Sequence, residues 1–157
     1  MISPSDMVRA LTIHQPHAWA IAQGWKDVEN RTWPAPGYLL GEWVAIHASK
    51  SFDDVGADTF ANLMHRTGRR ALIDGLEDVR GAIVAVVRLE GSVLSEASPW
   101  FTGPHGFLLR DVIKLHKPIE CRGALNFWRL PFAVDAELRE QLAQLAPAST
   151  SNRRTQP

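Results

Sequence analysis

The most constraining feature of this chain is residues 11–33, LTIHQPHAWAIAQGWKDVENRTW, which set two histidines, three tryptophans, a lysine, a glutamate and an arginine around one short helix and its exit turn. Pro16 suits a first helical turn, where its missing N–H costs nothing. Ala18, Ile21 and Ala22 recur at helical spacing and predict one small apolar face. Gly24 reads as the stop, since glycine enters the left-handed region without a Cβ penalty. Residues 25–33 then read as extended. On a regular strand Glu29, Arg31 and Trp33 share one face, because side chains alternate, and Lys26 falls in the turn or on the other face.

The octet Gly24-Trp25-Lys26-Asp27-Val28-Glu29-Asn30-Arg31 resembles G-x-K-x-x-E-x-R, the signature of the ASCH (activating-signal-cointegrator homology) domain, a relative of PUA-like domains. The preceding HQPHAWAIAQ resembles the family's helix entry, and residues 46–50, IHASK, resemble a second block. Residues 81–89, 100–110 and 121–130 resemble later strands of the subgroup found in bacteria and phages, so the resemblance spans residues 9–130. It implies an α+β fold: a small PUA-like mixed β-barrel of five or six strands with flanking helices. The expected organisation is an ASCH (PUA-like) domain over residues 8–131, a C-terminal helix over 132–145 and a disordered tail over 146–157, which is rich in Pro, Ser, Thr, Asn and Arg.

The order of elements follows from pattern. Residues 8–13 and 42–48 read as strands. A helix is expected to start at Ser51 as cap, run through Phe60, Leu63 and Met64, and stop near Gly68, with Arg66, Arg69 and Arg70 at its negative end. A second short helix is expected over 71–79. Residues 81–89 are almost continuously apolar and read as a strand buried on both faces. Residues 91–106 read as a long, mobile Gly/Pro-containing loop, a length that often marks function. Strands follow at 107–115 and 127–130, separated by a turn over 116–123, and Leu138, Leu142 and Leu145 give helical spacing near the end.

Composition narrows the function classes. With 17 basic against 17 acidic residues the formal charge is zero, so any nucleic-acid site is a local patch rather than a bulk property. Cys121 is the one cysteine, which excludes an internal disulfide or a cysteine-based zinc site. It reads as a small buried apolar residue. The start lacks the regions of a signal peptide and no apolar run approaches a membrane span. The expectation is a cytoplasmic protein without cofactor, metal or membrane partner. His14 and His17 lack the i, i+4 spacing of a helical zinc pair, so these and His47 read as cleft lining or satisfied histidines.

The expected site gathers His14, Gln15, Lys26, Glu29, Arg31, His47, Lys50, Trp100, His105 and Arg122 at one cleft at the barrel mouth. Lys26 reaches a phosphate or base. Glu29 and Arg31 form either a structural ion pair or a base-and-phosphate reader. Most of the six tryptophans are core, with Trp100 and Phe101 as the candidates for base stacking. Lys50, Arg110 and Arg122 form a basic rim.

The resemblance implies a nucleic-acid-binding module for RNA, single-stranded nucleic acid or a modified nucleoside. The alternative is an amidohydrolase acting on N4-acetylcytidine, with Lys26 and Glu29 as catalytic residues, or a ribonuclease; a protein-interaction module is a further class. Small bacterial ASCH amidohydrolases carry G-x-K-x-x-T-x-R, and here Glu29 stands where they keep a threonine.

Overall fold

The computed structural model describes residues 8–69 and 76–145. The elements are β1 (Arg9–Gln15), α1 (His17–Ala22), β2 (Val28–Arg31), β3 (Trp43–Phe52), α2 (Ala57–Arg66), β4 (Ala82–Val93), β5 (His105–Glu120), β6 (Phe127–Arg129) and α3 (Phe132–Leu145). The six strands form one mixed sheet in the order β2-β5-β4-β3-β1-β6. β1 runs parallel to β3, and every other pairing is antiparallel.

The sheet is not closed, yet it is strongly curled. Phe107 on β5 and Phe127 on β6 are four strands apart in the sheet order, a separation of about 19 Å if flat. Their rings nevertheless stack at 5.8 Å, and Trp33 packs edge-on against both. The main core lies inside this curl. Leu11, Ile13, Ile46, Ala85, Phe107 and Leu109 from four strands meet α1 there. α1 has five of its six residues buried, so it is embedded on all sides rather than amphipathic as its apolar spacing suggested. A second core on the outer face joins Ile83, Val86, Leu115 and Trp128 to Leu138 of α3. Gln141 clamps the same helix to the Lys117 backbone, accepting from its N–H and donating to its carbonyl.

β4 is buried along most of its length, as the apolar run of 82–87 requires. Three expectations change. β3 continues to Phe52, so Ser51 lies in a strand, and Asp53 rather than Ser51 accepts from the Gly56 N–H ahead of α2. Residues 76–80 are not helical, and the rest of the helix expected over 71–79 lies outside the described residues. β5 runs unbroken through 116–120, where a turn was expected. β2 pairs only with residues 105–108, so the far half of β5 is an edge on that side, where Pro118 removes no ladder bond. The tail expected over 146–157 also lies outside the described residues. Among the described residues no helix is long and apolar enough to cross a membrane.

Candidate functional site: two clefts joined at Thr12

The turn after α1 builds the first site. Gly24, at φ +78°, donates to the Ile21 carbonyl, and the Trp25 and Lys26 N–H groups both donate to Ala20. This tight exit turns the Lys26 side chain inward, where only 4% of the residue remains exposed. β2 follows at once, and its alternation puts Glu29 and Arg31 on the face toward Lys26. Glu29 Oε2 lies 3.2 Å from Lys26 Nζ, and Glu29 Oε1 lies 3.5 Å from Arg31 Nε. Arg31 Nη2 donates to the Thr12 carbonyl at 3.0 Å, linking β2 to β1 across the mouth of the curl.

His17 extends the line. Its Nε2 lies 2.9 Å from Asp53 Oδ2 and its Nδ1 lies 2.9 Å from Lys26 Nζ. A carboxylate only accepts and an ammonium only donates, so these partners assign a neutral ring with the proton on Nε2. The His17 pKa is lowered accordingly, first by burial and then by the Lys26 charge, against the opposing pull of Asp53. Asp53 is itself held below the usual carboxylate range by its hydrogen bond from His17. The result is a continuous row, Asp53–His17–Lys26–Glu29–Arg31, whose charges are compensated internally.

These residues line a cleft of about 420 Å³, within the usual size range of small-ligand sites. Its apolar wall is Phe60, Leu63 and Trp100. Trp100 is 3% exposed, packed against Phe60 at 5.7 Å, with Lys26 Nζ 6.0 Å from its ring centre. It is therefore a buried wall, where an exposed stacking platform on a loop was expected. Asn30 holds the segment in place by donating to the Trp100 carbonyl and accepting from the Thr102 and Gly103 N–H groups.

A second, more open cleft of about 1060 Å³ lies beside the first and shares Thr12 with it. Lys50, Arg80, Glu120 and Arg122 stand around it. Its floor is His47, 2% exposed, with Nε2–H donating to the Cys121 carbonyl at 2.8 Å. Nδ1 then accepts from the Thr12 hydroxyl, which itself accepts from Trp128 Nε1 at 3.0 Å. Every polar atom in that set is used, and burial lowers the His47 pKa, so this ring is neutral too.

The ten expected site residues thus divide. His14, Lys26, Glu29, Arg31 and Trp100 line the first cleft; His47, Lys50 and Arg122 line the second. Gln15 lies at neither cleft: it is 1% exposed and latches α1, accepting from the Trp19 N–H and donating to the Val79 carbonyl. His105 lines neither cleft; it opens β5, paired with Arg31. Arg110 leaves the expected rim, bound to Glu90 and the Asp27 carbonyl. Of the cations after α2, Arg69 lies over the Trp25 ring, and Arg70 falls outside the described residues. Asp53 and Asn30 join the site without having been among the expected site residues. Among the described residues no group of three or more His, Cys, Asp or Glu side chains is placed to hold a metal ion.

No family model and no curated protein matches this chain. Among solved structures it is similar to the ASCH protein from Zymomonas mobilis, at 18% identity and a TM-score of 0.52 over 85% of this chain and 94% of that one. Two point mutants of the same protein give TM-scores of 0.51 at 18% identity, covering 86% and 88% of this chain and 98% of each of theirs. The fold is therefore that of the ASCH proteins.

Proposed function

We propose that the first cleft binds one unstacked nucleobase of RNA or another single-stranded nucleic acid, reading its edge with Lys26 and Glu29. The observation that carries this reading is the state of Glu29. Its Oε2 is buried at the cleft wall, close to Lys26, yet receives no hydrogen bond from the protein. Lys26 Nζ, 3.2 Å away, offsets its charge without meeting hydrogen-bond geometry, so the oxygen keeps the capacity to accept from a ligand donor. Lys26 beside it offers N–H donors. Base edges carry donors and acceptors side by side, so the pair matches nucleobases as a class rather than one base. Phe60 and Trp100 supply an apolar side wall, and Arg31, tied to Glu29 and Thr12, fixes the carboxylate.

Titration of the purified protein with the four ribonucleosides and with short RNA and DNA oligomers tests this. Lys26→Arg keeps the charge while changing the donor geometry, and should weaken binding by the scale of a charged hydrogen bond, about 1.5–3 kcal/mol. Absence of binding to every probe would sink the reading.

A second reading, hydrolysis of an acylated cytosine amine, draws on the Asp53–His17–Lys26 row. In it the Lys26 ammonium, oriented by neutral His17, polarises the acyl carbonyl, and the Glu29 carboxylate takes a proton from the attacking water and returns it to the cytosine amine as the C–N bond breaks, leaving cytidine and acetate. Glu29→Gln keeps the shape and removes the base. Under this reading the wild type turns over N4-acetylcytidine and the variant binds it without turnover. Under the binding reading neither protein turns it over.

A further inference from the structure

The second cleft is not accounted for by recognition of a single base. Among the described residues, Lys50 and Arg122 have no ion-pair or hydrogen-bond partner for their charged groups, although seven ion pairs form elsewhere among those residues. Both are exposed and stand on one cleft although 72 residues separate them in sequence. Two backbone features put them there. Gly81, at φ +69°, lets the Lys50 side chain lie across it, since a Cβ would stand 3.1 Å from Lys50 Cε. Gly123 brings the turn after β5 down onto the cleft floor, since a Cβ there would stand 2.7 Å from His47 Cε1 and 2.8 Å from Thr12 Oγ1. Arg80 contributes less, because its guanidinium fork is bound to Asp78 at 2.9 Å, and Glu120 adds an opposing charge at the rim. Two cations therefore remain for an anion.

Thr12 determines how the clefts relate. Its carbonyl faces the first, bonded to Arg31, while its hydroxyl faces the second, bonded to His47 and Trp128. Thr12 lines both clefts, with Lys26 and Glu29 on the first and Lys50 and Arg122 on the second. We propose that the second cleft holds the phosphodiester backbone next to the base seated in the first, so that the ligand is a single-stranded polynucleotide rather than a free nucleoside. This rests on the nucleobase reading of the first cleft.

The test compares wild type with Lys50→Ala/Arg122→Ala, using the four ribonucleosides, a mixed-base RNA pentanucleotide, its DNA counterpart and hexaglutamate. Both side chains are exposed and pair with no described group, so an unchanged melting temperature is the control for folding. The expected result is tighter binding of the pentanucleotides than of any nucleoside. The double variant should lose about 10-fold in pentanucleotide affinity and nothing in nucleoside affinity. Its slope of log affinity against log salt should flatten by about 1.4, roughly 0.7 for each of two phosphates. The RNA and DNA arms show which sugar the track accepts. Unchanged pentanucleotide affinity in the double variant would overturn the proposal while leaving the first cleft intact. Equal competition by hexaglutamate would overturn it in favour of an acidic protein partner. Pentanucleotide binding that depends on Lys50 and Arg122 but is indifferent to Lys26→Arg would overturn the first-cleft reading, and the continuous path with it.

Discussion

Thr12 separates two ways of using charge. On one side Lys26 and Glu29 are about nine-tenths buried and belong to a row in which each charge has a neighbour of opposite sign or a neutral histidine between. On the other, Lys50 and Arg122 stand in solvent without a partner among the described residues, around a histidine that is fully satisfied and neutral. The first arrangement ties site chemistry to folding, because a buried charge cannot lose its partner cheaply. The second leaves folding and binding separable. A chain of zero formal charge can thus carry a basic patch, provided that its other charges compensate one another locally.

The largest effect that would break this contrast is in the first cleft. Lys26→Met leaves Glu29 buried beside Arg31 alone and should cost about 3 kcal/mol in urea denaturation. Adding Glu29→Leu should recover part of that loss, because replacing both members of a buried pair is cheaper than orphaning one. A single variant as stable as wild type would mean that water already screens the pair.

Next comes the seam between the clefts. Gly123→Ala places a methyl group against His47 and Thr12, neither free to move without losing a hydrogen bond. Overpacking of this kind should cost about 1–3 kcal/mol in thermal or urea unfolding. It should also perturb the second cleft more than the first, visible as altered oligonucleotide affinity with nucleoside affinity kept.

Both clefts contain a neutral histidine, so acid should weaken them together. His17 and His47 have pKa values below the ordinary value of about 6.5, chiefly through burial. Between that value and the lowered folded one, the unfolded chain binds more protons than the folded chain. Stability must therefore fall as pH drops below about 6.5 and level out only beneath the folded values. Protonated His17 can no longer accept from Lys26, so ligand affinity at the first cleft should fall over the same range. His17→Gln should shallow the fall in melting temperature, and a profile identical to wild type would remove His17 from the account.

The amount legible in the sequence follows the range of the interactions. Lys26, Glu29 and Arg31 lie in one octet, where the glycine turn and strand alternation set their relative positions, and the face shared by Glu29 and Arg31 could be read directly. The split into two clefts could not. It depends on Thr12 bonding Arg31 through its carbonyl and His47 through its hydroxyl, and on β3 running on to Phe52, so that Lys50 lies within the strand and lines the second cleft. Asp53 reaches His17 across 36 positions, a distance at which no local pattern operates. His105 and Gly106 looked like loop residues because glycine and proline surround them. Gly106 lies instead within β5, where a Cβ would meet the Phe101 ring at 2.7 Å. There glycine marks a close approach rather than a turn.

The smallest expected effect is the one that sharpens the comparison most. Lys50→Ala removes an exposed ammonium that no described group pairs with, so its stability should stay within about 0.5 kcal/mol of wild type. Any change in binding by this variant is then free of folding effects, which cannot be said of Lys26. Lowering the salt concentration lengthens the screening distance and should enlarge the difference between Lys50→Ala and wild type for oligonucleotides. The corresponding difference for Lys26→Arg should move much less, because its partners lie within about 3 Å and largely out of water. Equal salt dependence for the two variants would show that both lysines act through bulk solvent, and that the first cleft is not the closed, internally compensated site its geometry describes.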